Sequence, residues 1–207
     1  MVDYGMAGSI IEMAAKALAE CTGPLIPIGL SMGGMVALEI WRQAPERVAA
    51  MALFDTDCGA DANERRQNRD QQILMAVHGD FREMVETQLL PSYFSADSVN
   101  EAKAHQALRE KVIAMALDLG VATFAAQITA LATRKDSWPL LDTISVPTLI
   151  ACGVDDRICT PNSHRKMAAV MPLATLAYID GAGHLPPLEQ PVHTTRVLRL
   201  WLENLPR

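Results

Sequence analysis

The pentapeptide Gly29-Leu30-Ser31-Met32-Gly33 constrains this chain more than any other stretch. A short apolar run, Leu25 to Gly29, precedes it, and a helical pattern follows from about Gly33 to Gln43. A strand that turns straight into a helix holds its corner residue in a strained backbone conformation. It also crowds the residues on either side, which calls for glycine at both flanks. The strain lifts the serine hydroxyl out at the end of a sheet. The first turn of the helix then aims the Met32 N–H where an oxyanion would form. A Gly-x-Ser-x-Gly pattern in this strand–turn–helix context is a nucleophile elbow.

The surrounding order supports a sheet protein. Ser9 and Glu12 predict a capping box for a first helix, in which Ile10, Met13, Ala14, Ala17 and Leu18 recur at helical spacing. Cys21-Thr22-Gly23-Pro24 stops it. Val48 to Phe54 is a second apolar run, closed by Asp55-Thr56-Asp57. Helix, strand, helix, strand predicts parallel crossover units. From Asp61 to about Thr133 no strand-like run occurs. Capping-type pairs recur instead (Asp61 with Glu64, Asp80 with Glu83, Ser98 with Glu101), with apolar residues at helical spacing after each: Ile73, Leu74 and Val77; Met84, Val85 and Leu89; Val112, Met115 and Ala116. Strand-like runs resume at Pro147 to Ala151 and Thr175 to Ile179. Thr160 caps a helix between them, with Pro161 at its first position, and a last helix spans about Pro191 to Leu202. The expected fold is α/β with a mostly parallel sheet. Its core is split between residues 1–60 and 136–207, and 61–135 is a helical cap.

A hydroxyl is a weak nucleophile and needs a base with an orienting group. Of five histidines, His78 and His105 fall in cap helices, and His164 and His193 inside other helices. His184 follows a strand through Asp180-Gly181-Ala182-Gly183 and precedes Leu185-Pro186-Pro187, so it can reach across to another strand's end. It is the candidate base. Asp156, after the run ending at Cys152, and Asp55, after Phe54, are the candidate acids, with Asp155 a loop-shaping neighbour.

These stretches resemble an α/β-hydrolase of the small capped esterase or lactonase type. The matching segments are Gly29 to Gly34 with Ala37-Leu38-Glu39, Ala44-Pro45-Glu46-Arg47-Val48, Pro147 to Ile150 with Gly153 and Asp156, and Gly181 to Pro191. The chain order Ser31, Asp156, His184 is the order that such hydrolases use. The resemblance implies Ser31 as nucleophile, His184 as general base, Asp156 as its orienter and Met32 as an oxyanion donor. It also implies strands ahead of the first helix, roughly 40–60 residues with their connections. One of these ends in the loop that carries the second oxyanion donor. Without that donor, activity of this chain falls by about 10²–10³, and the elbow strand has an unpaired edge. Pro27, within that strand, removes a ladder donor.

Composition narrows the partners. The 207 residues carry 18 Lys+Arg against 24 Asp+Glu, a net charge of −6 with no basic block, which argues against nucleic-acid binding. The four cysteines form no Cys-x-x-Cys pair and read as free thiols in a reducing compartment. No secretory signal is evident, and the uncharged stretch Cys21 to Leu38 is broken by proline and glycine. The expectation is a cytoplasmic protein with no membrane partner and an oligomer left open. No metal or organic cofactor is called for.

The function expected is a serine hydrolase acting on a small carboxylic ester or lactone through an acyl-enzyme. Phe81, Met84, Leu89, Leu90 and Phe94 make an apolar substrate plausible, although most belong to the cap's own core. The same triad serves perhydrolases of haloperoxidase type, acyltransferases and C–C bond hydrolases. The competing expectation is a catalytically impaired, truncated remnant or binding module.

Overall fold

The computed structural model describes residues 2–95 and 102–206, with backbone alone over 102–105. The Ser98–Glu101 pair and the side chain of His105 lie outside the described residues. Four parallel strands form one sheet in the order β1 (Ile28–Leu30), β2 (Met51–Phe54), β3 (Thr148–Gly153), β4 (Ala174–Ile179). The register pairs Ile28 with Ala52, Met51 with Thr148, and Thr148 with Ala174. All four carboxyl ends therefore point to one edge of the sheet. Among the described residues β1 pairs with β2 alone.

Alternation along the central strands explains the layering. Met51, Leu53 and Ile150 face a core that includes Met13 and Ala14 of α1 (Ile10–Glu20), Val36 and Leu38 of α2 (Met32–Gln43), and Met167 of α6 (Pro161–Val170). Ala52, Phe54, Leu149 and Ala151 point the other way, against Trp201 of α7 (Pro191–Glu203). Every residue of β2 and β3 is buried, as befits parallel strands covered on both faces. Ser9 caps α1 by accepting the Glu12 N–H at 3.1 Å, and the Glu12 carboxylate accepts from Gly8 N–H at 3.0 Å.

Among the described residues, no strand lies between β2 and β3, and the long helices of the chain's middle are joined by loops. The helices there are α3 (Asn63–His78), α4 (Phe81–Met84) running on through turns to Ser92, and α5 (Ala102–Ala132), which breaks at Gly120, φ +80°. Their own core includes Phe81, Met84, Leu90, Phe94 and Ile113, with the Phe81 and Phe124 rings 5.2 Å apart. By length and composition Gln106–Ala132 is apolar enough to cross a membrane, although Gly120 interrupts it.

Several expectations are corrected. The elbow strand begins at Ile28, and Leu25 makes only an isolated bridge to Val48. Pro27 precedes the strand and serves the ladder through its carbonyl, which accepts from Ala52 N–H at 2.9 Å. Asp61 does not cap α3. Ala62 occupies the cap position with no side-chain bond, and the Asp61 carboxylate is buried against Arg69 and Arg134 instead. Leu74 and Val77 are more than half exposed despite their helical spacing, because the inward side of α3 carries other residues.

Candidate active site

Ser31 closes β1 and opens α2. Its N–H donates to Phe54 C=O at 2.8 Å, as a continuing strand would, yet its φ of +51° and ψ of −114° break the strand there. Such a backbone costs about 1–3 kcal/mol and persists only where the surroundings enforce it. A Cβ on Gly29 would run into the Gly33 carbonyl, and one on Gly34 would meet Thr56 at 2.6 Å. At Gly33 the same Cβ would meet nothing within 4 Å. The close approaches thus require Gly29 and Gly34, and the second glycine of the pentapeptide is not sterically needed. Thr56 also donates its hydroxyl to Ser31 C=O at 2.6 Å, pinning the corner to the end of β2. Met32, as the first residue of α2, has no intrahelical acceptor for its N–H.

The structure brings the sequence candidates together. His184 Nε2 lies 2.9 Å from Ser31 Oγ, and His184 Nδ1 lies 2.9 Å from Asp156 Oδ2. The other Asp156 oxygen accepts the N–H groups of Ile158 at 2.8 Å and Cys159 at 3.0 Å. This carboxylate is buried, so those donors replace the water it has lost. The loops behind these residues are joined by their main chains: Asp155 N–H donates to Ala182 C=O at 3.0 Å, and Gly153 packs so tightly against the Gly183 carbonyl that a Cβ would not fit.

Asp55 does not reach the imidazole role, which Asp156 occupies geometrically. Its φ is +44°, it is fully buried, and its Oδ1 accepts the Gly153 N–H at 2.8 Å. Among the described residues its Oδ2 receives no N–H or O–H donor. Burial first, then the charge of neighbouring Asp156, pushes the Asp55 carboxyl up to about 9, against an opposing bond from Gly153. Asp55 is therefore protonated at neutral pH, and a proton between two adjacent carboxyls resolves their repulsion.

Among the described residues, no other histidine hydrogen-bonds Ser31. His164 is buried, accepts Thr56 N–H through Nε2 at 3.1 Å and faces Thr160 C=O through Nδ1 at 3.0 Å. Burial lowers its pKa, so it is a neutral core group. His78 is exposed and His193 half-buried. Among the described residues one cluster has metal-ligand chemistry: ligand atoms of Asp156, Cys159 and His184 lie within 4.8 Å of one another. Two of those atoms already share a hydrogen bond, and burial raises the Cys159 thiol well above its usual range, so it keeps its proton.

Sequence reasoning missed Glu189 and Tyr93. Glu189 accepts Ser95 N–H through one oxygen and Gly183 N–H through the other, each at 2.8 Å. Tyr93 C=O accepts His184 N–H at 2.8 Å, and its ring lies 5.8 Å from the imidazole. The helical segment thereby grips the loop that carries the histidine. Glu189 sits in the stretch Gly181 to Pro191 singled out above, but nothing in that stretch says where its two oxygens point. Ser31 and His184 open onto a cleft of about 280 Å³ between the strand ends and the helical segment, with Met35, Leu89, Phe124 and Ile128 on its apolar side.

A nucleophile elbow at the end of a parallel sheet, facing an imidazole and a buried carboxylate, defines the α/β-hydrolase class. The chain matches the alpha/beta hydrolase family over residues 3–196 and belongs to it. A thermophilic esterase from Thermogutta terrifontis, solved with malate bound, is 31% identical with a TM-score of 0.89, the match covering 98% of this chain and 75% of that one. A pimeloyl-[acyl-carrier protein] methyl ester esterase from Xylella fastidiosa is 24% identical over 95% of this chain and 78% of its own length. A Bacillus subtilis protein provisionally named a 2-succinyl-6-hydroxy-2,4-cyclohexadiene-1-carboxylate synthase is 27% identical over 79% of this chain, which spans 60% of that protein. The family and the relatives named as esterases mark the chain as a carboxylic ester hydrolase-like enzyme.

Proposed function

We propose that this chain hydrolyses a small carboxylic ester or lactone through a Ser31 acyl-enzyme. The observation that carries the reading is the unbroken relay from Ser31 Oγ to His184 to Asp156, two contacts of 2.9 Å each. Ser31 Oγ attacks the acyl carbon while His184 Nε2 takes its proton. The oxygen that becomes negative sits at the start of α2, where the Met32 N–H donates to it. The tetrahedral adduct collapses, the ester C–O bond breaks, and His184 returns the proton to the leaving alcohol. Water then enters, His184 deprotonates it, and the acid is released with Ser31 restored. Asp156, fixed by two backbone donors, holds the imidazole tautomer and balances the imidazolium. All of these steps use the chain's own groups. Residues 61–135 act in this reading as a cap that shapes the substrate cleft, and the chain works in the cytoplasm on a small molecule rather than on nucleic acid.

The second reading is a catalytically impaired remnant or binding module. Its support is β1, which pairs on one side only among the described residues, where the resemblance would place the strand leading to a second oxyanion donor. Intact mass after fluorophosphonate treatment separates the two, with Ser31→Ala as control and circular dichroism to verify folding. A single adduct absent from the control supports the hydrolase. A folded wild-type chain without an adduct supports the remnant.

A further inference from the structure

Helix α3 reverses the polarity usual for a packed helix. Arg65, Asn68, Arg69 and Gln72 recur at i, i+3, i+4 and i+7, the spacing of one helix face, and all four line the cleft that holds Ser31 and His184. The apolar Leu74, Met75 and Val77 of the same helix are 56%, 42% and 52% exposed. A cap helix that merely covered a core would put its apolar stripe inward, so polar groups in that position are the informative feature.

The arginines are held by a buried frame. Asp61, with its side chain wholly buried, pairs with Arg69 Nε and with Arg134 Nη1, the latter at 2.6 Å. Arg65 Nη1 lies 3.2 Å from Asp57 and 3.6 Å from Asp61. Arg134 Nη2 is 3.7 Å from Asp57, too far for a hydrogen bond, and has no hydrogen-bond partner among the described residues. Three guanidinium groups thus share two carboxylates, leaving one positive charge over. Arg65 and Arg69 each spend a single nitrogen on this frame. The Nη atoms of Arg69, and Nε and Nη2 of Arg65, have no other partner among the described residues. Arg69 also stands near enough to Tyr93 to act on its phenol, and the Tyr93 ring packs against His184. The spare donors therefore share one cleft with Ser31 and His184.

We infer that Arg65 and Arg69 form a carboxylate-binding subsite of the cleft, so that the ester cleaved at Ser31 carries a second, ionised carboxyl group. The substrate class is then a half-ester of a dicarboxylic acid, or a lactone bearing a free carboxylate. Guanidinium forks match a carboxylate in geometry. A single surplus charge suits a monoanion better than a phosphate dianion. Leu89, Phe124 and Ile128 accommodate the carbon chain between the two ends. This inference rests on the hydrolase reading above.

The test compares kcat/KM for 4-nitrophenyl hydrogen glutarate and 4-nitrophenyl valerate, which differ in the terminal carboxylate. The wild-type chain should favour the acidic ester by about tenfold or more, the size typical of a charge-assisted pair. Arg65→Gln with Arg69→Gln should bring the ratio close to one. Because Arg69 also braces Asp61, Gln72→Glu provides a variant that leaves the frame intact, and its added negative charge should cut the ratio about tenfold. Hydrolysis of valerate without preference in the wild type, or an unchanged ratio in Gln72→Glu, overturns the subsite while leaving the hydrolase reading in place. If neither ester is cleaved, the hydrolase reading fails and calorimetry with free glutarate decides the subsite. Glutarate binding that Gln72→Glu abolishes sustains it. No binding, or tighter binding of inorganic phosphate, overturns it.

Discussion

The Gly153 N–H donates to Asp55 Oδ1 at 2.8 Å, tying the carboxyl at the end of β2 to the strand that leads into Asp156. Two carboxyls thus lie side by side in a buried corner, and burial together with Asp156 raises Asp55 to about 9 from an ordinary 3.8. The folded state holds a proton that the unfolded chain has released, so between these two values folding stability falls as pH rises. Below the lower value both states are protonated and the full contribution is present. Above the upper one it is gone. Asp55→Asn should flatten this dependence and make the protein more stable than wild type at pH 9, because the amide can still accept from Gly153 while donating to Asp156. Urea midpoints at several pH values from 5 to 9 provide the check. A wild-type profile flat across that window would contradict the protonation of Asp55.

The two helix-side glycines at the elbow should respond oppositely to alanine. Gly33 has open space at its Cβ position and helical backbone, so Gly33→Ala should be neutral or stabilise by about 0.5 kcal/mol. Gly34 faces Thr56 at 2.6 Å, and Gly34→Ala should destabilise by about 1–3 kcal/mol, since Thr56 also holds the Ser31 carbonyl. Thermal midpoints of the two variants test the contrast.

Glu189 links the helical segment to the histidine loop through Ser95 and Gly183. Glu189→Ala removes two charge-assisted bonds and should lower kcat about 10–100-fold, with a smaller change in KM. The fold should survive, because the surrounding strands do not depend on it. Steady-state kinetics on a 4-nitrophenyl ester, beside circular dichroism, distinguishes loosened positioning from unfolding.

Asp61 and Arg134 form a buried pair, with side chains 0% and 3% exposed. Asp61→Ala leaves the guanidinium groups of Arg134 and Arg69 without their shared carboxylate, at a cost of about 3–5 kcal/mol. Replacing the half-buried Glu86, whose partner Arg82 is exposed, should cost far less, because water screens that pair. Denaturation of the two variants under one condition measures the difference.

Much of this was legible beforehand because it depends on local chemistry. Ser9, Asp80 and Thr160 each accept an N–H of their own helix, as their spacing to Glu12, Glu83 and Ser163 demands. The buried runs of β2 and β3 read as strands for the same reason. Asp61 shows where local reading stops. Its spacing to Glu64 is that of a cap, yet Arg134, far along the chain, competes for its carboxylate and prevails in a buried setting. Leu74 and Val77 show the converse, since periodicity reveals that a helix has faces but not which one a neighbour will cover.

The sequence by itself determined the class of this protein: a strand–serine–helix corner, strand ends that carry the candidate acid and base in the order Ser31, Asp156, His184, and a helical stretch between the two halves of a parallel sheet. Those are matters of residue type, spacing and backbone sterics. Only the tertiary structure decided between Asp156 and Asp55 at the imidazole, because both follow a strand and the choice depends on how adjacent strand ends are arranged in space. It also decided which glycines the elbow needs, that Glu189 braces the histidine loop, and that α3 turns Arg65 and Arg69 toward the cleft. These are contacts between residues far apart in the chain, made only once the sheet has assembled.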